Sequence, residues 1–267
     1  MSRFQLRRDK ALHLLSKAGA EALLVSSVPN VTYLTGFTGD DSLLLLTKKR
    51  ALMLSDSRFS VQLEEECPGL ECVIRVAGVS MASTVKKAVA SSKIGSLAYE
   101  PASMTMAQHA SFAKEIPQIE WVAAPGLVET LRAVKDRQEI DKIRRAIGQA
   151  ERSFAVLRAA LRADQTEKEL ADALEHQMRQ LGAKGCSFTP IVAVGDRAAL
   201  PHYRPAGRRV GEGDLLLVDW GADEGLYKSD LTRVLVTGRI SPKLERVYGV
   251  VLRAQEQAIA QIRPGAT

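Results

Sequence analysis

Between Leu215 and Val234 the chain reads LLLVDWGADEGLYKSDLTRV, two apolar arms that each carry an aspartate, Asp219 and Asp230. The residue types are those of extended strand, and the polar stretch ADEG supplies a turn. An arm as apolar as LLLV is normally covered, so the fold must bury this hairpin and also find something to neutralise its acids. If the chain folds back between Glu224 and Gly225, the two aspartates face each other directly, with Cβ atoms about 4.5–5.5 Å apart. Like charges placed that way destabilise a sheet unless they are compensated. Spacing alone leaves three readings open: a solvated hairpin, a pair sharing a proton, or a pair of ligands for divalent cations. Hard carboxylate oxygens would suit Mn2+, Mg2+ or Co2+.

The rest of the chain must supply the cover. Its 267 residues predict two domains, each large enough to bury a core. Leu6, Leu12, Leu15 and Ala18 predict an opening helix. Residues 22–26, 42–47, 50–55 and 94–99 read as strands, with helical patterns near 80–91 and 104–115. That alternation predicts an α/β layer. After Ala124-Pro125-Gly126 the period lengthens. Ile140, Ile143, Ile147, Phe154, Leu157 and Leu161 mark one face of a long helix. Thr166 and Glu169 form a capping-box pattern before a second helix with Leu170, Leu174, Met178 and Leu181 as its apolar face and Gly182 as its stop. Strand patterns follow at 187–194 and 213–237. A last helix begins at Ser241-Pro242, with Leu244, Val247, Val251, Ala254, Ala258 and Ile262 as its expected buried face. The second half thus reads as α+β, with helices on one side of an antiparallel sheet.

Lysine and arginine (37) exceed aspartate and glutamate (31), but the positives are scattered and only 5% of residues are aromatic. A nucleic-acid partner would want a phosphate-tracking patch or stacking platforms, and neither is visible. The apolar runs are too short for a membrane span. Cys67, Cys72 and Cys186 are odd in number and widely spaced, which predicts free thiols and a cytoplasmic setting.

The stretch DWGADEGLYKSDLTRV resembles the paired-aspartate metal signature of the pita-bread metallopeptidases, in the branch of Xaa-Pro aminopeptidases and Xaa-Pro dipeptidases (prolidases). NVTYLTGFTGDDSLLLL, from Asn30, and DSRFSVQ, from Asp56, are similar to the creatinase-like N-terminal domain of that branch. RAVKDRQEIDKIRRA, from Arg132, resembles the helix that opens its catalytic domain, and GCSFTPIVAVGDRAALPHYRP, from Gly185, the strand and loop that bring a histidine to the substrate. The resemblance implies a creatinase-like domain over 1–127 and the first, incomplete part of a pita-bread domain over 128–267. It implies that Asp219 chelates one metal ion, that Asp230 bridges two, and that His202 contacts the substrate near the scissile amide. Thr232 and Arg233 would support the ligand strand, and Asn30, Tyr33 and Asp56 match N-terminal positions for which turn and packing roles are equally open. The implied cofactors are two divalent ions, manganese preferred over cobalt or zinc. The implied reaction is metal-assisted hydrolysis of the bond between an N-terminal residue and proline in peptides, by a homodimer. Proline's tertiary amide has no N–H and isomerises slowly, so a dedicated hydrolase makes chemical sense.

The same resemblance implies three more ligands, a histidine and two glutamates, downstream of Asp230. None of His13, His109, His176 and His202 lies there, and Glu245 and Glu256 fall off the apolar face of the last helix. The expectation is a chain that continues beyond Thr267. The alternatives are a peptide- or protein-binding module that has lost the chemistry, and a second chain supplying the missing half. A creatinase-like hydrolase working without metal is a further alternative, against which the two aspartates argue.

Overall fold

The computed structural model describes residues 2–266. The chain divides into two compact units, Met1–Lys135 and Asp136–Thr267.

The first unit runs α1 (Arg3–Lys17), β1 (Ala22–Val25), α2 (Val28–Thr35), β2 (Leu43–Thr47), β3 (Ala51–Asp56), α3 (Ser60–Glu66), β4 (Glu71–Arg75), α4 (Met81–Ser92), β5 (Ser96–Tyr99), α5 (Met106–Glu115), β6 (Glu120–Ala123) and α6 (Leu127–Ala133). Its six strands form one mixed sheet in the order β4-β3-β2-β1-β5-β6. The central strands are apolar along their whole length because both faces are covered. Leu23, Val25, Leu44 and Leu46 enter one core, while Leu24, Leu45, Leu52 and Leu54 enter the other, with Val85, Val89 and Phe112 from α4 and α5. The edge strands β4 and β6 begin with glutamate and are only partly covered, so their apolar pattern is weak in the sequence.

Two expectations for this unit change. The buried row of α1 is Arg7, Ala11 and Leu15, while Leu6 is 49% exposed. Arg7 is tolerated there because its guanidinium stacks 4.0 Å from the Tyr33 ring and donates to the Tyr33 carbonyl at 3.0 Å. The second change is the boundary. Leu127 and Val128 of α6 join the first core, so the division falls one short helix later than residue 127. Asn30 and Asp56 hold this unit together. Buried Asn30 donates to Glu100 and Glu129 and accepts from Arg132, and Asp56 caps a short 3-10 turn while pairing with Arg58 and Arg75.

The second unit runs α7 (Arg137–Ala159), α8 (Glu167–Gln180), β7 (Gly185–Cys186), β8 (Ile191–Val194), β9 (Leu215–Trp220), β10 (Ala222–Glu224), β11 (Tyr227–Lys228), β12 (Leu231–Val236) and α9 (Pro242–Gln261). Its strands form two three-stranded sheets, β12-β9-β8 and β11-β10-β7, antiparallel throughout. The Thr166–Glu169 capping box opens α8, and Leu170, Leu174 and Met178 are buried. On α7 the inner row is Ala146, Ala150, Ser153 and Leu157, with Ile140 and Ile147 exposed by more than a third. Small residues face the sheet because the sheet comes close. Trp220 Nε1 donates to the Ala150 carbonyl at 2.9 Å and its ring stacks on Phe154 at 4.4 Å, and Ser229 Oγ donates to the Ala146 carbonyl at 3.1 Å.

The last helix forms where its cap predicts, with Ser241 accepting from Leu244 N and Pro242 in the first turn. Its expected buried face is not buried. Leu244, Val247, Val251 and Ile262 are 40%, 51%, 62% and 79% exposed. The spacing makes the helix amphipathic, but among the described residues no element covers its apolar stripe. No helix of the described residues is long and apolar enough to cross a membrane.

Candidate metal centre

Strand β9 alternates strictly. Leu216, Val218 and Trp220 turn into the core, which leaves Asp219 on the opposite face. Across the sheet Asp219 is in register with Ile191 on β8 and Thr232 on β12. Asp230 precedes β12 and so lies two residues from Thr232, on the same face as Asp219 but diagonal to it. The direct opposition expected from the sequence is therefore replaced by a diagonal pair, for which Cβ separations are about 7–8 Å or somewhat less.

The turn explains the change. Glu224 pairs with Tyr227, so the loop consists of Gly225 and Leu226, both left-handed with φ of 59° and 72°. That is the geometry of a tight two-residue hairpin turn, and Asp223 Oδ1 secures it by accepting from Leu226 N at 2.9 Å. The tip thus sits one residue beyond the bond assumed from ADEG.

Between turn and aspartates the hairpin is pinched. Gly221 separates β9 from β10, and a Cβ there would lie 1.8 Å from the Ser229 carbonyl oxygen. Glycine is the residue that lets the arms approach so closely. Ser229 N donates to Ala222 O at 3.0 Å, Ala222 N to Ser229 Oγ at 2.9 Å, and Ser187 Oγ to Ser229 O at 2.8 Å. This clamp immediately precedes Asp230 and sets the direction in which its side chain leaves the sheet.

Thr232 Oγ1 donates to Asp219 Oδ1 at 3.1 Å. Partial burial pushes the Asp219 carboxyl up from its ordinary value, the Thr232 hydrogen bond opposes this, and the nearby charge of Asp230 pushes it up further. Arg233, expected to support the same strand, instead donates to the Thr232 carbonyl at 2.7 Å. His202 is exposed, and it lines an open cleft of about 880 Å3 together with Asp219, Asp230, Pro190, Tyr203 and Arg204. The three site residues taken from the sequence thus share one cleft, whereas Asn30, Tyr33 and Asp56 belong to the first unit.

Over 262 residues the chain is 34% identical to the "Uncharacterized peptidase YqhT" of Bacillus subtilis, spanning 98% of this chain and 74% of that protein. Residues 141–267 match metallopeptidase family M24, and residues 7–134 match the creatinase/prolidase N-terminal domain. The chain belongs to the M24 metallopeptidase family. Within that family its fold is similar to an Xaa-Pro dipeptidase from Bacillus anthracis, with TM-score 0.93 and 31% identity over 99% of this chain and 74% of the other. It is also similar to an X-Pro aminopeptidase from Thermotoga maritima, with TM-score 0.84 and 34% identity over 92% and 71%. The creatinase-like α/β domain followed by a pita-bread α+β domain is thereby shown.

M24 enzymes use divalent metal ions, and the donor set fits in kind. Two like-charged carboxylates share a face, and among the described residues no cationic side chain is bonded to either. Among the described residues no group of three or more His, Cys, Asp or Glu converges.

One contributor was not found by sequence reasoning. Glu167, the neighbour of the capping threonine, is fully buried and braces the His202 loop. In the sequence it is one more acid in a helix's first turn, beside Glu169, and carries no separate signal.

Proposed function

We propose that this chain serves a metal-dependent peptidase that hydrolyses the bond between an N-terminal residue and proline. The observation that carries the reading is the convergence of Asp219, Asp230 and His202 on one cleft. Asp219 and Asp230 hold the divalent ions, and Thr232 fixes the orientation of Asp219 through its hydroxyl. A bound ion supplies a Lewis acid for the scissile carbonyl and a water of lowered pKa. His202 hydrogen-bonds the substrate beside the amide that breaks. Phe188, Pro190, Pro201 and Pro205 give the cleft apolar walls suited to a proline ring.

Hard carboxylate ligands support manganese, with cobalt or zinc as substitutes. The relatives' names include both dipeptidase and aminopeptidase, and the bond before proline is common to them. The reading extends to proline-containing peptides as substrates, a homodimer, and a cytoplasmic setting supported by three free cysteines. The test is Asp230→Ala in the full-length protein with Mn2+ and an Xaa-Pro peptide. Hydrolysis should disappear while circular dichroism is unchanged. Turnover near that of the unaltered protein would remove Asp230 from the metal site.

A further inference from the structure

The loop that carries His202 leaves the sheet at Val194 and returns beside the first turn of α8 at Ala206. One side chain holds both ends. Glu167, 0% exposed, accepts from Val194 N at 2.8 Å through Oε1. Through Oε2 it accepts from Ala206 N at 3.1 Å and from the Tyr203 hydroxyl at 2.8 Å. Glu167 N donates to Arg208 O at 2.9 Å and Lys168 N to Ala206 O at 3.1 Å, laying the returning chain on the helix start.

The helix itself does not need this acid. Glu169 already completes the capping box with Thr166, and it does so while exposed. Burying a carboxylate is unfavourable unless its lone pairs are occupied. All three donors to Glu167 come from the loop or its strand, so the compensation and the loop's closure are the same set of bonds. The Tyr203 phenol is held up from its usual pKa by donating to this carboxylate. Tyr203 is also the residue next to His202, and both line the cleft, which Glu167 does not.

We propose that Glu167 is a positioning residue whose buried carboxylate sets where the His202 loop stands over the cleft, so that turnover depends on a group that never touches substrate. This rests on the reading that His202 contacts the substrate. Gln at this position keeps the volume but offers one acceptor oxygen where two are used, leaving an N–H facing an N–H at one end of the loop.

The test uses Glu167→Gln, Tyr203→Phe, the double variant and His202→Ala in the full chain. In Glu167→Gln, hydrogen exchange read by mass spectrometry should quicken at least about tenfold for loop residues 195–206 and stay unchanged in α7. With Mn2+ and alanyl-proline, kcat should fall about 10–100-fold, as for a displaced catalytic group. Tyr203→Phe, which keeps both backbone donors on a carboxylate, should show smaller losses of the same sign, and adding it to Glu167→Gln should cause little further loss. If Glu167→Gln does not fold, Tyr203→Phe alone decides, by loop exchange and kcat together. Unchanged loop exchange in the single variants, or fully additive losses of kcat, would overturn the proposal. His202→Ala should lose turnover with loop exchange unchanged. Full turnover in that variant would instead overturn the reading of His202, and with it the functional role of the brace.

Discussion

Replacing Gly221 by alanine adds one methyl group at the pinch of the hairpin, and its effect can be worked out from the contacts. The new Cβ would meet the Ser229 carbonyl oxygen at 1.8 Å, the Ser187 hydroxyl at 2.2 Å and the Ser229 carbonyl carbon at 2.7 Å. The hydroxyl can rotate away, but the carbonyl is backbone. The arms must therefore part by about 1.5 Å to reach ordinary contact. That breaks the Ser229 N to Ala222 O, Ala222 N to Ser229 Oγ and Ser187 Oγ to Ser229 O bonds. At about 1 kcal/mol net for each bond, with about 1–3 kcal/mol for overpacking, the second unit should lose about 4–6 kcal/mol. Each unit has one tryptophan, Trp121 and Trp220, so urea titration of Gly221→Ala in a Trp121→Phe background reports on the second unit alone. Gly225→Ala is the control, since a Cβ there meets only Lys142 Nζ at 3.7 Å and the change adds left-handed strain of about 1 kcal/mol. If Gly221→Ala costs no more than this control, the close approach is not what holds the aspartates in place.

Two further predictions concern the first unit. Burial raises the Cys67 thiol from 9.0 to about 11, so the folded state keeps a proton that the unfolded chain releases. That contribution is complete below pH 9.0 and disappears as pH rises towards 11, so stability should fall over this window and Cys67→Ala should flatten the fall. Alkylation of Cys67 at pH 8 should be at least about a hundredfold slower than that of a free thiol, and comparable rates would refute its burial. Asp56 behaves oppositely. Hydrogen bonds and charge from Arg58, with Arg75, hold its carboxyl below the usual range, so its contribution is present above about pH 4 and is lost as pH falls below that. Asp56→Asn should therefore flatten acid unfolding, and an unchanged acid limb would show that the pair with Arg58 and Arg75 does not act on stability.

Periodicity was a good guide wherever an element meets one partner through one face. The central strands, α4, α5 and α8 were legible for that reason. It was a poorer guide on α7, where the isoleucines follow the helical period but the buried row is built on Ala146, Ala150 and Ser153. It also could not tell whether the apolar stripe of α9 meets a partner, because spacing records a helix's face and not what lies opposite. The edge strands β4 and β6 escaped because each is only partly covered and has no fully buried residue. The motifs singled out Asp219, Asp230 and His202, and these three do line one cleft. Their diagonal arrangement was not, since the shift depends on a leucine taking a left-handed conformation at the turn. Glu167 was hidden because its partners are backbone groups and a hydroxyl far along the chain, which no local pattern encodes.

The first unit's sheet, apolar on both sides, raises a question of alignment. Leu43–Leu46 are four leucines in succession, so sliding β2 by one residue would exchange leucine for leucine on either face. In a strand with one wet face, such a slip would throw the apolar set into water. Here burial barely distinguishes the alternatives. The marks that do lie at the two ends of the β2–β3 pair. At one end Ser42 and Ser55 share a buried hydroxyl bond of 2.8 Å. At the other, Thr47 N and Thr47 Oγ1 both donate to the Arg50 carbonyl, at 2.9 and 3.1 Å. A one-residue slip would part the serines inside the core and undo the turn at once. The leucines make the sheet stable, and these few polar atoms at its margins make it unique.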